Sequence, residues 1–290
     1  MTYFLLLCAV LGSSFQSVFA KLYGKNSDST SGNSLFNLVK SSAMLLFSLT
    51  LVGSFTALHT PTTIYAVIFG ISLALSMSFG YLALCLGPLS LTSLIVSYSL
   101  IIPIAVGIAF LDEKVTPFMS VGFALLIASL FLINTGKSAK SESKLSGKWA
   151  ICVAVTFLTN GVCSTVQKLH QNAYPNMYKS EFTIFYSLIT VMIFAIIFLS
   201  GRKNAEHKIQ RNCKGVLFAA LAGASNIVMN YLVLYLSSEM PSTLLFPLMS
   251  ALTMIAACLF SRFMFGSKLT KRQLSGILLG IASLVFLKMQ

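Results

Sequence analysis

Ten apolar runs of about 20 residues follow one another along this chain, and they constrain its fold more than any other feature. A helix of about 20 residues crosses the hydrocarbon layer of a bilayer, which is about 30 Å thick. Short polar connections separate the runs, and none is long enough to form a soluble domain. The sequence therefore predicts an all-α integral membrane protein with spans at 3–22, 34–55, 62–85, 88–111, 115–135, 149–169, 180–200, 214–236, 240–262 and 270–288.

The composition agrees with a bilayer as the principal partner. The chain has 290 residues, of which 56% are hydrophobic and only 9% charged, too few charges to cover a soluble globule of this size. The net charge of +13 does not indicate a nucleic-acid partner, because the basic residues lie mostly in short segments between apolar runs.

Motifs for catalysis, metals and cofactors are missing from the sequence. The six cysteines form no CxxC pair and no Cys/His cluster at metal spacing. HExxH, GxSxG and Walker-type phosphate loops are also absent. We therefore expect neither an enzyme nor a bound metal or cofactor, although an intramembrane enzyme and an accessory subunit stay open as alternatives.

The two sets of five spans resemble each other. A shift of about 147 to 154 residues sets Tyr81 against Tyr231, Gly122 against Gly276, and Lys114-x-Thr116 against Lys268-x-Thr270. An odd number of spans in each half places the second half upside down in the membrane. We expect two inverted five-helix repeats around a central cavity, covering 1–136 and 149–290 and joined by a basic linker at 137–148.

The distribution of basic residues predicts the orientation of the chain. Four of them lie at the termini or in the connections of one side, and fifteen lie in the connections of the other. Basic loops face the cytoplasm, so both termini are predicted outside it, most simply in a plasma membrane.

Polar side chains recur at helical spacing inside four spans. Ser13, Ser17 and Lys21 share a face of span 1, and the equivalent positions of span 6 are Asn160, Ser164 and Lys168. Spans 3 and 8 carry matching polar positions that include Ser76, Asn226 and Asn230. These side chains line a cavity, or they bond to backbone and neighbouring helices, and both lysines have the further alternative of reaching the headgroups.

Further features of the sequence concern charges and helix geometry. Lys40 lies inside span 2, whereas no Asp or Glu falls in the middle of a span, and the three histidines lie in or beside connections. A proton relay through a carboxylate or a histidine is therefore not predicted. Pro103 and Pro247 are expected to kink spans 4 and 9, and the GxxxG of Gly276 and Gly280 is expected to pack against span 5.

The segment 80–133 resembles the EamA-like half-domain of the drug/metabolite transporter superfamily. The resemblance rests on features in a characteristic order, namely Tyr81, Ala83-Leu84, Thr92-Ser93, Pro103, Glu113 and Gly122. The second half matches more loosely through Tyr231, Ser242-Thr243 and Gly276. Two departures are the predicted external termini and the absence of a carboxylate from span 1, where the small multidrug relatives bind protons.

The resemblance implies a secondary transporter that moves a small polar or anionic metabolite, such as an amino acid or a sugar derivative, by alternating access. A drug or cation exporter of the same fold is the alternative, and a homodimer is compatible with the sequence. The candidate cavity residues are Ser13, Ser17, Lys21, Lys40, Ser76, Tyr81, Ser93, Ser97, Asn160, Ser164, Lys168, Asn226, Asn230 and Tyr231.

Overall fold

The computed structural model describes residues 1–25, 30–51, 59–86, 92, 95–135, 146–202, 213–265 and 270–288. In these ranges the regular structure is helical, which confirms the all-α class. The α-helices are α1 Thr2–Lys25, α2 Thr30–Leu51, α3 Thr60–Leu86, α4 Ile101–Phe110, α5 Pro117–Thr135, α6 Gly147–Ala173, α7 Lys179–Arg202, α8 Cys213–Glu239, α9 Ser242–Phe265 and α10 Lys271–Lys288.

Five of these helices, α1, α3, α6, α7 and α8, contain segments long and apolar enough to cross a membrane. Shorter apolar helical segments of 10 to 17 residues lie at Ser34–Thr50, Ile95–Phe110, Pro117–Ile133 and Ser242–Ala256. Large apolar side chains are exposed on many helices, as shown by Leu46, Ile196 and Leu278, which are all at least 61% exposed. An aqueous surface disfavours such side chains, whereas lipid accepts them.

The fourth predicted span departs from a continuous α-helix. A 3-10 turn covers Tyr98–Leu100, directly before α4 begins at Ile101. Pro103 follows two residues later, and a proline has no N–H to donate to the carbonyl of Ser99. The loss of that α-helical bond explains the tighter turn here, whereas Pro247 lies within an α9 that is assigned helical on both sides.

Threonines begin two helices at equivalent positions of the sequence repeat. The hydroxyl of Thr116 accepts a bond from the N–H of Met119 at the start of α5. The hydroxyl of Thr270 accepts from Gln273 N–H, and Gln273 Oε1 accepts from Thr270 N–H, which forms a reciprocal capping box before α10. The repeated Lys-x-Thr pattern therefore marks helix starts.

The chain divides into two compact units. Unit 1 comprises Met1–Ala74 and Leu169–Tyr235. In it α2 packs along α7, and α1 approaches α8 at Gly12, where a Cβ would lie 3.1 Å from the carbonyl oxygen of Ser225. Because α2 and α7 hold equivalent positions in the two sequence halves, unit 1 joins helices from both.

Unit 2 comprises Leu75–Lys168 and Leu236–Gln290, and α5 packs along α10 in it. A Cβ on Gly276 would lie 2.6 Å from a side-chain atom of Ile133, and one on Gly280 would lie 2.9 Å from the hydroxyl of Ser129. That hydroxyl donates a 2.7 Å bond to the carbonyl of Gly276. The predicted packing of the GxxxG segment against span 5 is confirmed. Because these two glycines have no Cβ, α5 can approach α10 closely at both positions.

Candidate functional site

Lys168 and Glu113 form a buried ion pair in unit 2. The Nζ of Lys168 lies 3.4 Å from Oε1 of Glu113, and the two side chains keep only 10% and 8% of their exposure. Glu113 also accepts bonds from the N–H groups of Ser242 (2.7 Å) and Thr243 (2.9 Å), the first two residues of α9. The first N–H groups of a helix have no partner within it and carry its positive end, so a carboxylate is the complementary cap.

The lysine of this ion pair contacts the C-terminal end of a helix. Lys168 Nζ donates to the carbonyls of Ser237 (3.1 Å) and Met240 (2.7 Å), at the end of α8 and just beyond it. A cation there stabilises the negative end of a helix. The pair therefore fastens the end of α8, the start of α9 and the segment after α4 to one another.

Local backbone geometry brings Glu113 into this position. Asp112 adopts a left-handed conformation with φ 51°, which Asp tolerates better than most residues. The N–H groups of Leu111 and Glu113 both bond to the carbonyl of Gly107. A Cβ on Gly107 would lie 2.6 Å from Oε2 of Glu113. The turn thus directs the carboxylate back along α4, against a residue that has no side chain.

The two equivalent lysines of the repeat differ in environment. Lys168 is buried and bonded, so it does not reach the headgroups, whereas Lys21 is exposed. On the same stripes, Ser17 is exposed while Ser13, Asn160 and Ser164 are half-buried. Equivalence in sequence therefore does not extend to burial in this case.

Lys40 is the buried cation of unit 1. It lies on α2, and only 5% of the residue is exposed. Its carbonyl oxygen is in contact with Gly223 of α8, where a Cβ would collide with it and lie 2.9 Å from the Cβ of Ala43. Neither an ion pair nor a hydrogen bond links the Lys40 ammonium to another residue of the described ranges.

An amide chain connects α1 with α8 in unit 1. Asn226 Nδ2 donates to Oε1 of Gln16 at 2.8 Å, and Asn230 Nδ2 donates to Oδ1 of Asn226 at 3.0 Å. Both asparagines are buried. Their polar groups are thus satisfied by a neighbouring helix and by each other, as a buried amide requires.

Two further predicted site residues, Asn160 and Ser164, make hydrogen bonds in unit 2. Asn160 donates to the hydroxyl of Ser99 at 2.7 Å, and Ser164 donates to the carbonyl of Asn160 at 3.4 Å, both within unit 2. Ser93 lies outside the described residues. Four more of the candidate residues are half-buried, namely Ser76, Tyr81, Ser97 and Tyr231.

Sequence reasoning did not select as candidate site residues four polar residues that the structure brings into such contacts. Gln16 could have been noticed as an amide inside an apolar helix, and Glu113 as the acidic end of span 4. His59 and His170 have no such signal, because each lies at the edge of a connection and they are far apart in sequence. The tertiary structure nevertheless joins them through Thr62.

Comparisons with known proteins identify the family of the second half and the fold of the whole chain. Residues 147–289 match the family model described as the EamA-like transporter family. A solved crystal structure of a protein superposes with a TM-score of 0.76, covering 99% of this chain and 96% of that chain at 12% identity. At this identity the likeness shows the fold alone. No curated protein matches this chain in sequence.

Proposed function

Because residues 147–289 form an EamA-like transporter domain of the drug/metabolite transporter superfamily, we propose that this chain is a secondary transporter. It moves a small polar or anionic metabolite, such as an amino acid or a sugar derivative, across the membrane by alternating access. The family, the apolar helices and the buried polar groups support this proposal, and the sequence repeat adds the inverted symmetry on which such transporters rely.

The observation that carries the proposal is the buried lysine of α2. Lys40 is 5% exposed in a chain whose apolar helices belong in a bilayer, and no described residue supplies a counter-charge. An uncompensated buried cation costs several kcal/mol by order of magnitude, about 3–5 kcal/mol when a partner is removed from a buried pair. A residue that carries this cost inside a membrane protein is a functional group by default.

A solute that bears a carboxylate or a phosphate supplies the negative charge that no described residue places at Lys40. Its anionic oxygens accept charge-assisted bonds from the Lys40 ammonium, which has three donors and no acceptor. Binding then removes an electrostatic penalty that the empty protein bears, so the affinity for an anion exceeds that for an equally large neutral compound. The same cation repels quaternary amines, which disfavours the drug or cation exporter.

The conformational step follows from the same charge. The protein bears the cost of the buried Lys40 charge when no solute is bound. A bound anion therefore lowers the free energy of conformations in which α2 is shielded from water. A transporter crosses between its two open states through such an occluded conformation. The solute thereby favours the transition that carries it across.

A thermal-shift screen on the purified protein tests this function, because a ligand that binds only the folded state raises its apparent stability. Amino acids, sugar phosphates, nucleosides and quaternary amines form the panel. Anionic members are expected to raise the Tm of the wild type and to lose that effect in Lys40→Met, while Lys40→Arg keeps part of it. Lys148→Met, which removes an exposed lysine that is not among the candidate cavity residues, is the matched control.

Uptake of the stabilising compound into proteoliposomes then separates transport from binding. Wild type and Lys148→Met should accumulate it, and Lys40→Met should not. Stabilisation by quaternary amines alone, with no dependence on Lys40, would contradict an anionic substrate. A bound compound that never enters the vesicles would contradict transport.

A further inference from the structure

We propose that the side chains of His59, Thr62 and His170 in unit 1 form a proton-binding site, and that protonation releases the connection between α6 and α7. The three side chains lie in one chain of hydrogen bonds at the start of α3 and the end of α6. Thr62 and His170 are completely buried. The ligand is the proton itself, and this site is independent of the solute site proposed above.

The direction of every bond in the chain is fixed by a donor at one end. Gln171 Nε2 can only donate, so His170 Nδ1, 3.0 Å away, accepts. The neutral ring then carries its hydrogen on Nε2 and donates to the hydroxyl of Thr62 at 3.1 Å. That hydroxyl in turn donates to Nδ1 of His59 at 2.9 Å. Each polar atom in this chain is satisfied only while both imidazoles are neutral.

The orientation of the Gln171 amide is fixed as well. Its Oε1 accepts a bond from the N–H of Asn176 at 3.0 Å, and its Nε2 also donates to the carbonyl of Met177 at 3.2 Å. The side chain is fully buried. Reversing the amide would set its NH2 group against the N–H of Asn176, so the reversed arrangement loses both bonds to the connection.

A proton added to either ring breaks a specific bond. On His59 Nδ1 it opposes the Thr62 backbone N–H, which lies 3.4 Å away and makes His59 the N-terminal cap of α3. It also makes this nitrogen a donor, so the hydroxyl of Thr62 must turn to accept from it and loses the acceptor of its own hydrogen. On His170 Nδ1 it opposes the NH2 of Gln171 and forces the amide to turn. In each case the proton comes from solvent and forms one N–H bond on the imidazole ring. The only bonds that break in the protein are hydrogen bonds.

The connection that these bonds hold is strained. Asn176 and Tyr178 have positive φ of 60° and 51°, and this conformation is costly for a bulky side chain such as Tyr178. The Tyr178 ring stacks on His59 with centroids 4.1 Å apart and an interplanar angle of 1°. Tyr174 meets the same ring edge-on at 4.7 Å. Once the histidine chain is disrupted, less remains to oppose relaxation of the two left-handed residues.

The surrounding charges limit the site to one proton. Glu181 at the start of α7 is buried and attracts a positive charge on His170, whereas a charge on His59 repels it. The Lys179 ammonium donates to Oδ1 of Asn176 and lies over the ring of Tyr235. The other titratable groups that face the chain are Tyr65 on α3 and Tyr174 and Tyr178 in the connection.

Hydrogen–deuterium exchange of the full-length protein in nanodiscs tests the site, read on peptides that cover residues 171–179. Protection factors, corrected for the intrinsic effect of pH on exchange, are compared at about pH 7.5 and about pH 5, on either side of the ordinary histidine pKa of about 6.5. The N–H of Asn176 should lose protection by about tenfold at the lower pH, the factor expected when one buried hydrogen bond is lost. Equal protection at both pH values in the wild type overturns the proposal without any variant.

Substitutions then assign the effect to these rings. Asn at position 59 keeps an acceptor near Nδ1, and Gln at position 170 keeps a donor near Nε2, and neither takes up a proton. The double variant His59→Asn/His170→Gln should hold its protection at about pH 5. His207→Gln removes the third histidine and should lose protection as the wild type does. Persistence of the pH effect in the double variant, or its loss in His207→Gln, assigns the proton elsewhere and rejects the site.

Discussion

Lys168 and Glu113 join two helix ends of opposite polarity through one buried contact. The 3.4 Å separation of Nζ and Oε1 is accompanied by two carbonyl bonds at the end of α8 and two N–H bonds at the start of α9. Each charge therefore faces the helix end that stabilises it, in addition to its partner. Removing one member of such a buried pair is therefore expected to destabilise the protein far more than removing both.

The first prediction concerns that pair. Lys168→Gln leaves the Glu113 carboxylate buried without a cation, so the free energy of unfolding is expected to fall by about 3–5 kcal/mol. Lys168→Gln/Glu113→Gln should recover part of the loss, because no charge then remains to be compensated. Lys21→Gln, at the exposed equivalent position, should stay within about 0.5 kcal/mol of the wild type. Urea titration in detergent micelles measures all three, and equal losses for Lys21→Gln and Lys168→Gln would refute the distinction.

The second prediction concerns the amide chain of unit 1. Asn226→Leu leaves Oε1 of Gln16 without its present partner and leaves Nδ2 of Asn230 with the backbone carbonyl of residue 226 alone, and a bond between membrane helices such as that to Gln16 contributes up to about 1.7 kcal/mol. The variant is expected to lose that amount of stability together with its yield. Gln16→Leu should lose a similar amount, and the double variant less than the sum. Normal stability with abolished transport would instead place Asn226 on the solute pathway.

The third prediction concerns the contact of α2 with α8. Ala in place of Gly223 drives a methyl group into the backbone at Lys40, so the helices separate at a cost of about 1–3 kcal/mol. Gly215→Ala is the control on the same helix, because its Cβ would lie 3.5 Å from the nearest atom of Tyr23, an ordinary contact. Ala is also the better helix former, so this control should be neutral or slightly stabilising. Thermal unfolding of the two variants side by side shows whether the close approach is needed.

The fourth prediction concerns orientation and rests on the sequence alone. The basic connections at 137–148 and 202–214 are expected to face the cytoplasm. Cysteines introduced at Ser141 and Asn204, which lie outside the described residues, should resist a membrane-impermeant thiol reagent in intact cells and react after permeabilisation. The same protein without the added cysteines gives the background. Ready labelling of both positions in intact cells would reverse the assignment.

The positions of the helices could be read from the sequence, because the length of an apolar run and the residues that end it are local properties. Thr116 and Thr270 begin α5 and α10 through their own hydroxyls. The GxxxG of α10 indicated a close contact, since a glycine without a side chain permits one wherever the partner lies. The partner helix α5 was expected because it carries a glycine of its own, Gly122.

Pairing and burial of polar side chains required the tertiary structure. Lys21 and Lys168 occupy equivalent positions in the sequence, yet Lys21 is exposed whereas Lys168 is buried against a carboxylate, because a turn after α4 carries Glu113 to it. His59 and His170 were each assigned to the edge of a connection, and only folding brings them to opposite sides of Thr62. The environment of a charge depends on groups that are distant along the chain, so a one-dimensional pattern places a helix in the membrane but does not choose which of its polar residues will be enclosed.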